Sequence, residues 1–122
     1  MRDPIEIDEE LASGISVPSQ LADFVEILGI AGTVQFLLHF GGTEVYLPPH
    51  PSGRSRLERL IGADAIRALS ARSAALSVDV PLANTWIAAV LTANGATTRQ
   101  VARHLRVTER TARRWRQKAR TR

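Results

Sequence analysis

Arg110, Arg113, Arg114 and Gln117 recur at spacings of three and four residues, just after Thr108 and Glu109. On a helix that spacing gathers side chains on one face. The chemistry open to such a set is hydrogen bonding to the edges of nucleic-acid bases. Arginine donates two parallel bonds to guanine O6 and N7, glutamine pairs with adenine, and a carboxylate such as Glu109 accepts from cytosine N4. Arg99, Arg103, Arg116, Lys118 and Arg120 suit phosphates, which position a protein without reading sequence. Thr98, with the amides that open its helix, adds a further phosphate ligand. Ten of the sixteen Lys and Arg residues lie between Arg99 and Arg122, where Glu109 is the only acid.

These side chains need a scaffold, and "TTRQVARHLRVTERTARRWRQKAR" (97–120) has the spacing of a helix-turn-helix. Thr97-Thr98 opens a first helix whose Val101, Ala102 and Leu105 share a face, and the small Ala102 lets a second helix cross closely. "RVT" is the turn, with Val107 expected to be buried and Arg106 where glycine is common. Thr108 caps the second helix, with Ala112, Trp115 and Ala119 inward. A helix over "LANTWIAAVLTANG", stopped by Asn94-Gly95, completes a three-helix core through Ile87, Val90 and Leu91.

Upstream, Ser19 is expected to cap "QLADFVEILG", where Leu21, Phe24, Val25 and Leu28 follow helical spacing and Gly29 ends the helix. A second helix is expected over roughly 31–40, with Val34, Leu37 and Leu38 inward, Phe36 and Phe40 as further inward candidates, and Gly41-Gly42 as its stop. "TEVYLPP" reads as a short strand, "HPSGRSR" as a loop, and "SRLERLIG" and "ADAIRALSARS" as helices broken at Gly62. "ALSVDVP" is a second strand ended by Pro81. A shift of 33 residues places Gly29 on Gly62, Phe36 on Leu69, Val45 on Val78 and Pro48 on Pro81. Such an echo would make a pseudo-symmetric pair of helix–strand units, with the strands hydrogen-bonded to each other.

The 122 residues suffice for one compact domain or a small body with an appended module. The apolar content of 44% supports a core, and no uncharged apolar run of about 18 residues is expected to span a membrane. The absence of cysteine excludes disulfides and thiolate metal sites and suits a reducing cytosol. The net charge of +4 is unevenly spread: residues 1–30 carry seven acids against one base, and residues 97–122 ten bases against one acid. That asymmetry points to a polyanion at the basic end.

The stretch "LGIAGTVQFLLHFGGTEVYLP", followed by the terminal module, resembles the Mor family of phage transcription activators. Gly41-Gly42 and Tyr46-Leu47-Pro48 after an apolar helix carry the resemblance, which extends over roughly 21–118. It implies a dimer whose helix–strand regions associate, two helix-turn-helix modules on a near-palindromic site, and recruitment of RNA polymerase. The second unit at 62–81 and the short C-terminus depart from the pattern. Were Val45 and Val78 paired within one chain, intersubunit strand pairing would be in doubt.

The expected fold is mainly α, with two short strands in the body. An acidic, weakly ordered tail covers 1–18, a helix–strand body that dimerises covers 19–81, and the DNA-binding module covers 82–122. The expected partners are double-stranded DNA, a second copy and RNA polymerase, without a membrane, in the cytoplasm. The alternative is a repressor, or a non-catalytic accessory protein of recombination or packaging. No cofactor and no catalysis are expected: His39, His50 and His104 lack ligand spacing, and no phosphate-binding glycine loop or Ser–His–Asp set is present. Gly41-Gly42 reads first as a helix stop and second as a backbone approach to DNA, Tyr46 as half-buried on a sheet face rather than a base or phosphate contact, and Arg54 and Arg56 as part of a solvated loop rather than phosphate ligands.

Overall fold

The computed structural model describes residues 6–73 and 75–120. Among them the chain is mainly helical, as expected, with seven α-helices and two strands: α1 (Glu9–Ala12), α2 (Ala22–Phe40), β1 (Glu44–Tyr46), α3 (Arg56–Ile61), α4 (Ala63–Arg72), β2 (Ser77–Asp79), α5 (Asn84–Ala93), α6 (Thr98–Leu105) and α7 (Glu109–Arg120). They form two compact units. One is Ser19–Leu82, and the other joins the described part of residues 1–18 to residues 83–122.

In the Ser19–Leu82 unit the two strands pair antiparallel within the chain, with Val45 opposite Val78. Two flanking backbone bonds complete the ladder: Leu47 N–H donates to Leu76 C=O at 2.6 Å, and Val80 N–H to Thr43 C=O at 2.8 Å. A shift of 33 residues exchanges these two bonds, because Leu47 maps onto Val80 and Thr43 onto Leu76. The strands are therefore related by a local two-fold axis through the Val45–Val78 pair.

The helices obey the same relation. Gly29 (φ 75°, ψ 173°) and Gly62 (φ 88°, ψ 158°) share a conformation that is essentially confined to glycine. Each breaks a helical run: Gly62 separates α3 from α4, and Gly29 kinks α2 at the point where the sequence ends one helix and starts another. Four buried positions repeat as well, with Phe24 matched by Leu57, Thr33 by Ile66, Phe36 by Leu69 and Leu47 by Val80. Around Phe36, the rings of Phe24 and Phe40 stand 5.1 and 5.8 Å away. Arg72 on α4 ties that helix to α2, bonding Asp23 at 3.0 Å and Glu26 at 2.9 Å. Its hydrogen bonds and charge hold the Glu26 carboxyl below the ordinary value.

Several expectations for this unit are corrected. Ser19 does not cap a helix; it begins a 3-10 turn, Ser19–Leu21, that leads into α2 without a side-chain cap. Tyr46 is exposed rather than half-buried, because the strand turns Val45 inward and Glu44 and Tyr46 outward. Gly41 and Gly42 close α2 and start the sheet, their N–H groups donating to Leu37 and Val80 C=O at 2.8 and 2.7 Å. Arg56 is not merely solvated, since its guanidinium lies 5.9 Å from the centroid of the Phe40 ring. Ser19–Phe40 is long and apolar enough to cross a membrane by length and composition, against expectation. The kink at Gly29 interrupts that stretch, and Phe24, Val34, Phe36 and Leu37 are buried in the unit's core.

In the other unit, residues 6–18 are not a loose tail. The expected turn of helix forms as α1, capped by the Asp8 carboxylate, which accepts from Glu10 N–H at 2.9 Å. Asp8 N–H donates to Asn94 Oδ1 at 2.6 Å, and Ala12 is buried. The buried Ala12 and the bond from Asp8 N–H to the Asn94 side chain help to hold a segment whose composition alone suggests disorder.

Candidate nucleic-acid interface

α5 supplies most of the core that supports the basic segment. Ile87, Val90 and Leu91 are buried as expected, joined by Trp86 and Ala88, which helical spacing around Ile87 did not single out. Asn94 ends α5, its side-chain N–H donating to Val90 C=O at 2.9 Å. Against α5 pack Val101 and Ala102 of α6 and Ala112 of α7, all buried. Leu105, Val107 and Trp115 are part-exposed, so Val107 is not the buried turn residue expected. The turn is instead closed by its backbone, with Val107 N–H donating to Ala102 C=O at 3.0 Å.

Capping fixes where each helix begins. Thr97 and Gln100 form a reciprocal box: Gln100 N–H donates to Thr97 Oγ1 at 3.1 Å, and Thr97 N–H to Gln100 Oε1 at 2.9 Å. Thr108 caps α7, accepting from Thr111 N–H at 3.2 Å. Between the helices Arg106 adopts the left-handed conformation, at φ 58° and ψ 45°.

This scaffold exposes Thr108, Glu109, Arg110, Arg113, Arg114, Gln117 and Lys118, together with Arg99 and Arg103 on α6. Glu109 is not isolated, for its carboxylate lies 3.7 Å from Arg99 Nε. A base-reading Glu109 would have to leave an exposed, weak ion pair.

Two phosphate candidates have other employment. The Arg116 side chain is part-buried and donates to Thr98 Oγ1 and, at 3.2 Å, to Thr92 Oγ1. It thereby links α7 to α6 and α5, and the Thr98 hydroxyl is committed to it. Helical spacing places Arg116 near the inward edge of α7, but its partners depend on how three helices cross. Ala119, expected inward, and Arg120, expected on phosphate, have side chains outside those described. Arg106 was absent from the expected contacts, yet it is exposed in the turn beside α7. Its position there was the available signal.

Among the described residues no group of three or more His, Asp or Glu is arranged to hold a metal ion. His39 bonds through Nδ1 to Gln35 C=O at 2.8 Å, within its own helix.

No curated protein and no solved structure matches the chain at a significant level. Residues 86–122, spanning α5 to the C-terminus, match the model of a homeodomain-like domain. The three-helix arrangement with its capped and outwardly basic α7 is a helix-turn-helix DNA-binding module.

Proposed function

We propose that this chain is a sequence-specific regulator of transcription, a non-catalytic activator of the Mor type from a phage or integrated element. The observation that carries the DNA-binding part is the joint exposure of Arg110, Arg113, Arg114 and Gln117 on the outer face of α7. In this reading those four side chains, with Thr108 and Glu109, face base edges in the major groove. Arg99, Arg103 and Lys118 hold phosphates, and Thr98 contributes through backbone N–H groups because its hydroxyl is bonded to Arg116. The Mor-type part rests on Gly41-Gly42, just before β1, and on Tyr46-Leu47-Pro48, which begins at the strand's last residue. The apolar α2 is a core helix of a cytoplasmic protein, and the acting species is a dimer that recruits RNA polymerase.

The test is to select duplexes from a random pool with the purified chain, then to place the selected site upstream of a promoter transcribed by purified RNA polymerase. A selected site should bind at least about 10³-fold tighter than a scrambled duplex at physiological salt. Transcription should then rise on addition of the protein. Equal affinity for both duplexes would overturn sequence-specific reading, and a fall in transcription would make the protein a repressor.

A further inference from the structure

Two turns join the three helices of the basic module, and they are built differently. The turn between α5 and α6 contains Gly95 at φ 90°, whereas the turn between α6 and α7 places Arg106 at φ 58° and ψ 45°. A side chain in that left-handed region costs free energy that glycine avoids. Among the described residues positive φ falls on five glycines and on two others, Ala83 and Arg106.

The fold does not explain the arginine. Its side chain is exposed, and among the described residues its guanidinium has neither a hydrogen bond nor an ion pair. The turn is closed by the N–H groups of Arg106 and Val107, which both donate to Ala102 C=O. A glycine at 106 would make the same bond. Backbone strain kept for a side chain that supports nothing in the fold points to a role outside it.

We infer that the Arg106 guanidinium binds a DNA phosphate at the rim of the groove that α7 enters, an inference that rests on the reading of α7 as the base-reading helix. Arg106 stands two residues before Thr108, the cap of α7. Two residues of chain span at most about 7 Å, so Arg106 is close to wherever the first turn of α7 meets the bases. It lies ahead of the helix, however, and not on the outer face with Arg110 and Arg113. That is the rim of the groove, where phosphates run and where a contact positions the protein without reading sequence. The charge of Arg106 is also undivided. Arg99 lies 3.7 Å from the Glu109 carboxylate, and Arg116 is bonded to Thr92 and Thr98.

The experiment uses the full chain and two fluorescent duplexes, a site selected from a random pool and its scrambled counterpart. Anisotropy is read across a fourfold range of salt. Arg106→Gly removes the side chain and the strain, Arg106→Gln removes the charge and keeps the strain, and Arg106→Lys keeps the charge. The glycine and glutamine variants should weaken both duplexes alike. Over that salt range each should lose about threefold less affinity than the wild type loses, as expected for one phosphate contact fewer. Arg106→Lys should keep the wild-type salt dependence, and Arg106→Gly should melt no lower than the wild type. Ethylation of single phosphates should interfere with the wild type at a position that no longer matters to Arg106→Gly.

Wild-type salt dependence in the glycine and glutamine variants overturns the phosphate contact. A relaxed preference at one base pair with unchanged salt dependence also overturns it, by putting Arg106 on a base. A lower melting temperature for Arg106→Gly does so too, because the arginine would then support the turn. The reading of α7 fails separately, if a triple Arg110→Ala, Arg113→Ala, Arg114→Ala variant keeps the wild-type preference for the selected site.

Discussion

Gly29 and Gly62, 33 residues apart, hold the same glycine-specific backbone conformation, with φ of 75° and 88° and ψ of 173° and 158°. A side chain at Gly62 would meet no heavy atom within 4 Å, so a substitution there tests backbone geometry alone. Gly62→Ala should lower unfolding free energy by about 1–3 kcal/mol in urea titrations, through strain at the kink. An unchanged midpoint would show that the helix break does not need this conformation.

Arg110→Ala, Arg113→Ala and Arg114→Ala should each cost about 1–3 kcal/mol of binding where the arginine reads a base, with relaxed preference at one position. Arg103→Ala should weaken all duplexes alike and reduce the logarithmic salt slope by about one. Fluorescence anisotropy at several salt concentrations measures both. A triple α7 variant that binds its selected site like the wild type would remove α7 from base reading.

Arg116 should behave unlike its neighbours. Losing its bonds to Thr92 and Thr98 in Arg116→Ala should destabilise the module by about 1–3 kcal/mol, while the salt slope of DNA binding stays that of the wild type. Thermal unfolding and anisotropy together separate the roles. A reduced slope without loss of stability would place Arg116 on a phosphate after all.

The left-handed φ of 58° at Arg106 costs a non-glycine residue about 1–2 kcal/mol. Glycine relieves that strain but adds freedom to the unfolded chain. Arg106→Gly should therefore leave the melting temperature unchanged or slightly raised. A clear fall would show that the arginine side chain supports the turn.

The Glu26 carboxyl titrates below the ordinary 4.5 because Arg72 bonds its charged form. Its folded value lies under its unfolded value, so the stabilisation is present above the ordinary carboxylate range and fades as pH falls below it. A carbon-detected NMR titration should give a depressed midpoint for Glu26 that returns toward the ordinary value in Arg72→Gln. An identical midpoint in the two proteins would mean that the pair does not persist in solution.

The elements legible in the sequence were those announced by local chemistry. Thr97 with Gln100 and Thr108 with Thr111 are caps set by neighbours in the chain, and Gly62 breaks the helical run where it stands. Gly29 interrupts α2 in the same way, between the two helical stretches that the sequence separates there. Arg116 and the N-terminal segment were hidden. The bonds of Arg116 to Thr92 and of Asp8 to Asn94 span 24 and 86 residues, and composition carries no record of such distances. Of the candidate interface, helical spacing alone sufficed to group Arg110, Arg113, Arg114 and Gln117 on an exposed face. What Thr98 and Glu109 are bonded to depended on the crossing of α6 and α7.

The pairing of Val45 with Val78 inside one chain has an evolutionary consequence. In an assembly of two identical subunits every substitution appears twice, once on each side of the axis. Here the two sides are written separately in one gene, and a change on one is not copied to the other. Some buried pairs are apolar on both sides, as Phe36 with Leu69 and Leu47 with Val80 show. At other buried positions the halves differ: Val34 corresponds to Arg67, and Leu37 to Ser70. One side of the axis is thereby free to acquire a specialised surface while the other preserves the frame.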